Sequence, residues 1–166
     1  PDFNVLGKVS GEAYQELLDY LRRLYEFIVV DTSTTLDQIW AATMDAASTV
    51  ILVVTQDIPS IKHTSAYLKM AETEGIKRDK FLVVMNKFDK KVNIAPERVG
   101  EILHVPVAAT IPFDDKFVSI AINSGKPFMI DKKTELVSRG IQGLADLVKE
   151  KIAKLDAVEV DAQAKK

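Results

Sequence analysis

Apolar residues along the chain gather into four short runs, separated by longer stretches in which they recur every three or four positions. The runs are Phe27-Ile28-Val29-Val30, Val50-Ile51-Leu52-Val53-Val54, Phe81-Leu82-Val83-Val84-Met85 and the segment Val105 to Ile111. Each is continuously apolar and mostly β-branched, the pattern of strands covered on both faces in a parallel sheet. Helical spacing fills the gaps. Residues 11–24 place Tyr14, Leu17, Leu18, Leu21 and Leu24 on one stripe. Residues 36–46, 60–74 and 96–103 read as crossover helices, the second opening after Pro59-Ser60. A further helix over 114–124 ends near Gly125. The last, over 134–155, carries Leu136, Val137, Ile141, Leu144, Leu147, Val148, Ile152 and Leu155. Strand and helix alternate, which predicts an α/β fold: a parallel sheet with helices on both faces, in one domain spanning 1–155. Residues 156–166 lose the apolar spacing and are expected to form a disordered or frayed tail.

Composition narrows the chemistry. The 166 residues are 47% apolar and 28% charged, enough for one domain with a real core. There is no cysteine, which excludes disulfides and thiolate metal sites and permits a reducing, cytoplasmic location. His63 and His104, the two histidines, stand far apart, so a histidine metal centre is not expected. A formal net charge of −2 gives no general attraction to nucleic acid, and no nucleic-acid partner is expected. No apolar run approaches the ~20 residues of a membrane helix, so membrane insertion is not expected either.

In open parallel sheets, ligands bind beyond the carboxyl ends of the strands. The residues found there are Asp31-Thr32-Ser33-Thr34-Thr35, Thr55-Gln56-Asp57-Ile58-Pro59-Ser60, Asn86-Lys87-Phe88-Asp89-Lys90-Lys91 and Pro112-Phe113-Asp114-Asp115. An aspartate directly after a buried strand, such as Asp31, can hold Mg²⁺ through water beside nucleotide phosphates. Asp also serves as a cap or turn residue, so that alternative stands beside the first. Asn86 carries an amide that can both donate to and accept from a purine edge. A solvated turn is the competing account of Asn86 to Asp89, and of the lysines at 87, 90 and 91. Trp40 and the methionines at 44, 70, 85 and 129 are expected to pack, and no Ser-His-Asp arrangement is visible.

These strand-end motifs, in this order, resemble the MinD/ParA superfamily of deviant-Walker P-loop ATPases, most of all its pilus-assembly branch, the CpaE/TadZ group. Tyr25-Glu26-Phe27-Ile28-Val29-Val30-Asp31-Thr32 looks like the family's Walker B strand, Ile58-Pro59-Ser60-Ile61 like the segment after the next strand, and Ile111-Pro112 with Asn123-Ser124-Gly125-Lys126-Pro127 like its closing strand and helix. The resemblance covers residues 15 to about 150. It implies a P-loop NTPase-like fold, present in part, that binds ATP and Mg²⁺. Asp31 would hold the metal water, while Asn86, Asp89 and the Pro112 region would frame the base. It further implies a homodimer that sandwiches nucleotide, acting in localisation or assembly of a surface pilus or secretion apparatus.

Two departures from the family stand out. Thr32-Ser33-Thr34-Thr35 replaces the usual Pro and Gly after the Walker B aspartate, and no G-x-x-x-x-G-K-[ST] occurs in the 166 residues. The phosphate-cradling loop would then lie upstream of Pro1, making this a carboxyl-terminal portion that does not hydrolyse ATP alone. In the family's sheet the P-loop strand separates the first two strands found here, so Phe27-Ile28-Val29-Val30 and Val50-Ile51-Leu52-Val53-Val54 would lose their common neighbour. Members that bind membranes end in a basic amphipathic helix, and the tail 156–166 lacks one.

Other classes also fit some of these residues. A receiver-type signalling module places Asp, Thr and Lys at successive strand ends, which Asp31, Thr55 and Lys87 imitate. A preceding acidic pair is absent, however, and Lys87 is followed by Phe88 rather than proline. A GTPase would read Asn86-Lys87-Phe88-Asp89 as its N-K-x-D guanine motif, but Asp31-Thr32-Ser33-Thr34 lacks the D-x-x-G glycine. A non-hydrolysing scaffold is the third.

Overall fold

The computed structural model describes residues 9–32 and 35–164, which divide into two compact units, Pro1–Ser48 and Thr49–Lys166.

The first unit is built on two packed helices, α1 (Gly11–Arg22) and α2 (Gln38–Ala46). Both begin where a short polar side chain satisfies a free helix amide. Ser10 Oγ accepts from Ala13 N at 3.1 Å, and Asp37 Oδ1 accepts from Trp40 N at 2.9 Å. Among the described residues of this unit, Leu18, Ala42, Thr43 and Met44 are buried. The expectation of a strand over residues 27–30 is not met, since this stretch forms no ladder with any neighbour among the described residues. A β-strand exists only by hydrogen bonding to an adjacent strand, so apolar composition alone does not produce one. Val29 is accordingly 94% exposed. Ser33 and Thr34 lie outside the described residues.

The second unit holds a three-stranded parallel sheet in the order β1 (Val50–Thr55), β2 (Phe81–Phe88), β3 (Val107–Pro112). Helix α3 (Ile58–Thr73) links β1 to β2, and α4 (Pro96–Leu103) links β2 to β3. After β3 come α5 (Asp115–Ser124), the short α6 (Phe128–Asp131) and the long α7 (Leu136–Ala164). A 3₁₀ turn, Arg78–Lys80, and α6 are additions to the elements read from sequence. Helix α7 continues beyond residue 155, where the apolar spacing stops. Residues 165 and 166 lie outside the described residues.

Alternate residues of β2 feed two separate cores. Phe81, Val83 and Met85 join Val54, Ile61, Leu68, Ala71, Val99 and Leu103 under α3 and α4. Val84, one step out of phase, joins Ile111 and Val137, with Phe117, Ile141 and Leu144 packed around them from α5 and α7. All five residues from Phe81 to Met85 are buried, as a strand flanked on both faces requires. The edge strand β1 is covered on one face only. Val54 is fully buried, while Val53 is 59% exposed on the side it shares with Val84. Helix α7 reaches β3 closely because residue 140 is glycine: a Cβ there would stand 3.1 Å from Pro112 Cδ and 3.3 Å from Thr110 O. That approach brings α7 against the end of β3 where Pro112 lies.

Candidate functional site

The carboxyl ends of β1, β2 and β3 lie side by side. Thr55 pairs with Asn86, and Phe88 pairs with Pro112. Asn86, Asp89 and Pro112 are therefore brought to one edge of one sheet, all half-buried. Asp31 belongs to the first unit, where it is exposed.

The end of β2 is irregular in a way that matters for Asn86. Met85 pairs with Thr110 and Phe88 with Pro112, so β2 spends one extra residue against β3. The surplus is absorbed at Asn86-Lys87, where Lys87 takes φ +53°, a left-handed conformation that costs a non-glycine residue about 1 kcal/mol or more. Asn86 Oδ1 accepts from Lys87 N at 2.9 Å, which fixes the amide's orientation and leaves the Nδ2 hydrogens as its donor pair. An acceptor on a ligand is what such a side chain would meet.

Asp89 is held differently. Its amide donates to Gln56 Oε1 at 2.7 Å, and its Oδ1 accepts from Lys91 N at 2.9 Å. One carboxylate oxygen is thus engaged within its own turn, and Val92 N donates back to Asp89 O at 3.0 Å. Pro112 ends β3, and the next amide, Phe113 N, donates to Phe88 O at 2.9 Å, tying the ends of β2 and β3 together.

At the end of β1, Asp57 caps α3. Its Oδ1 accepts from Ser60 N at 2.8 Å, and its other oxygen accepts from the Thr55 hydroxyl. The Thr55 hydroxyl, and then the Ser60 amide, hold its carboxyl below the ordinary aspartate range. This strand-end acid is committed to a cap. Thr55 spends its hydroxyl on the same carboxylate.

Gln56 carried no assignment in the sequence. Its amide spans the edge, accepting from Asp89 N and donating from Nε2 to Ile94 O at 2.9 Å. A polar residue with two hydrogen-bonding ends, one step past a buried strand, is the only hint the sequence offers of this role.

Among the described residues, no group of three His, Cys, Asp or Glu side chains stands ready to enclose a metal ion. Asp31 supplies a single exposed carboxylate. That suits Mg²⁺ held through water and chiefly by phosphate oxygens, not a protein cage. A hollow of about 370 Å³ lined by Pro96, Gly100, His104 and Val105 flanks the start of β3, the opposite end of that strand from Pro112. None of the four candidate residues lines it. No helix among the described residues is long and apolar enough to cross a membrane.

This parallel sheet flanked by helices is the P-loop NTPase-like fold of MinD and ParA proteins, present in part. It superimposes on the ParA family ATPase of Chlorobium tepidum TLS with a TM-score of 0.78, at 18% identity, over 87% of this chain and 61% of that one. The MinD protein of Pyrococcus horikoshii OT3, solved with Mg-ADP, matches with a TM-score of 0.72 at 22% identity, over 89% of this chain and 60% of that one. At the level of sequence the chain is homologous to septum site-determining MinD proteins. A protein provisionally given that name in Emiliania huxleyi is 28% identical over 134 residues, which make up 77% of this chain and 48% of its own length. The MinD of Synechocystis is 21% identical over 142 residues, covering 82% of this chain and 52% of its own. The chain therefore spans about half the length of the curated relatives it matches. No protein-family model matches it.

Proposed function

We propose that this chain is part of a MinD/ParA-type nucleotide-binding ATPase and supplies the base-contacting edge of its site. The observation that carries this reading is the meeting of Asn86, Asp89 and Pro112 at the carboxyl ends of β2 and β3, where a parallel sheet places ligands. Asn86 offers amide hydrogens to an acceptor on the adenine ring, while the Pro112 turn and the Asp89 loop border it. Asp31 would hold Mg²⁺ through water, and the ion would supply charge neutralisation to the phosphates. A complete protein would bind Mg-ATP and close as a homodimer around it. The 166 residues lack the glycine-rich lysine loop that positions phosphates, so turnover is not expected from them alone. As to process, the strand-end motifs favour a pilus-assembly protein of the CpaE/TadZ branch, acting on the localisation or assembly of a surface apparatus.

Fluorescent ADP should be titrated, with Mg²⁺, into the protein expressed from its complete open reading frame. Asn86→Ala is expected to weaken ADP binding about tenfold, the worth of one well-made hydrogen bond in a partly buried site. The engaged Asp89 oxygen disfavours a guanine reading, so GDP should compete more weakly than ADP. Absence of Mg-ADP binding by the wild-type protein would overturn the proposal. The process is tested by fluorescence localisation: a diffuse distribution unaffected by loss of surface pili would remove the pilus assignment.

A further inference from the structure

We infer that Gln56 is a positioning residue for base recognition, a role that rests on the nucleotide-binding reading of Asn86. The argument begins with Lys87. A non-glycine residue at φ +53° is strained, and it keeps that conformation only where its surroundings leave no alternative. Two contacts immediately after it do this. Phe88 O accepts from Phe113 N at 2.9 Å on the β3 side, and Asp89 N donates to Gln56 Oε1 at 2.7 Å on the β1 side.

The Gln56 amide also grips the far end of the same loop, since Nε2 donates to Ile94 O at 2.9 Å. Between those two points the loop closes on itself, through Lys91 N to Asp89 Oδ1 and Ile94 N to Val92 O, both at 2.9 Å. One side chain therefore clamps both ends of an otherwise self-contained turn to the end of β1. With the clamp released, only the bond from Phe113 N to Phe88 O still holds this stretch, and Lys87 can relax toward negative φ. Its amide, which orients Asn86 Oδ1, would turn with it. Gln56 touches no ligand in this account. It sets the direction in which Asn86 presents its donors.

Its two bonds are chemically distinct, which makes the role testable by substitution. Gln56→Leu removes both. Gln56→Glu keeps an acceptor for Asp89 N but sets a carboxylate against the Ile94 carbonyl. The experiment uses the protein from its complete reading frame and measures the ratio of ADP to GDP affinity. Tripolyphosphate, which has no base, serves as the control ligand, and hydrogen exchange at the Asp89 amide reports on the clamp.

Gln56→Leu is expected to speed Asp89 exchange, lower the ADP-to-GDP preference about tenfold and leave tripolyphosphate affinity unchanged. Gln56→Glu should fall between it and wild type. An unchanged preference in Gln56→Leu despite faster exchange would show a merely structural contact and overturn the assignment, and so would unchanged exchange. Failure of the nucleotide reading itself is visible earlier, as a wild-type protein that binds no Mg-ADP, and it removes this role as well. A wild-type protein that binds ADP and GDP equally overturns this role alone.

Discussion

Residues 27–30 and strand β1 are two apolar runs of nearly the same chemistry, and only β1 is paired into a sheet. Among the described residues, Phe27-Ile28-Val29-Val30 lies in a unit with few buried side chains, forms no ladder, and leaves Val29 94% exposed. Val50-Ile51-Leu52-Val53-Val54 pairs residue for residue with β2 from Val50 opposite Phe81 to Thr55 opposite Asn86, and Val54 is fully buried. The difference lies in the neighbour. Each strand needs an adjacent backbone to accept and donate its hydrogen bonds and a helix to cover its face, and β1 has both on one side. Even so, its other face remains half open, with Ile51 at 41% and Val53 at 59% exposure. In the second unit, β2 is the strand the sheet depends on, because it alone has a partner on each edge.

The sharpest way to break this contrast is to empty the core beneath the sheet. Leu68 is fully buried in the cluster under α3 and α4, and Leu68→Ala should cost about 2–5 kcal/mol. Urea denaturation measures it, and a loss under 1 kcal/mol would mean that the second unit is not organised around that cluster. Next in size is overpacking at the α7 approach. A Cβ at residue 140 already meets Pro112 Cδ at 3.1 Å and the Thr110 carbonyl oxygen at 3.3 Å, neither of which can swing aside. Gly140→Val should therefore destabilise by about 1–3 kcal/mol in the same assay.

The Asp57 cap gives a smaller and pH-dependent effect. Its carboxyl is held below the ordinary value of 3.8 by the Thr55 hydroxyl and the Ser60 amide. A depressed folded-state pKa means the unfolded chain takes up the proton more readily. The stabilisation is thus complete above about pH 5 and disappears as pH falls through the folded value. Asp57→Asn keeps a capping oxygen but not the charge, so it should flatten the acid limb of a stability-versus-pH curve and lower stability at pH 7, the two proteins converging as pH falls. An identical acid limb in the two proteins would contradict it. The smallest effect is expected at Val29: Val29→Ala should stay within about 0.5 kcal/mol, because no buried surface is lost. A larger loss would show that residues 27–30 are covered after all.

Much of the second unit was legible beforehand. The runs at 50–54 and 81–85 and the helices at 96–103 and 114–124 fell where the structure has them, because continuous β-branched runs and helical spacing report local backbone preference together with burial. The strand ends could be listed too, and Asn86, Asp89 and Pro112 do converge at them. Neither the bulge that turns Lys87 to φ +53° nor the reach of Gln56 across 33 positions to Asp89 could be read in the same way, since each depends on how strands register with one another.

The sequence by itself determined where helices and apolar runs would fall and which residues would follow each run, because hydrophobic period and capping chemistry are local properties. Tertiary structure alone decided which apolar run became a strand and which strand-end acid is spent on a cap. It also decided which amide is oriented to donate, because a ladder partner, a covering helix and a hydrogen bond to a distant loop come from parts of the chain that no local pattern specifies.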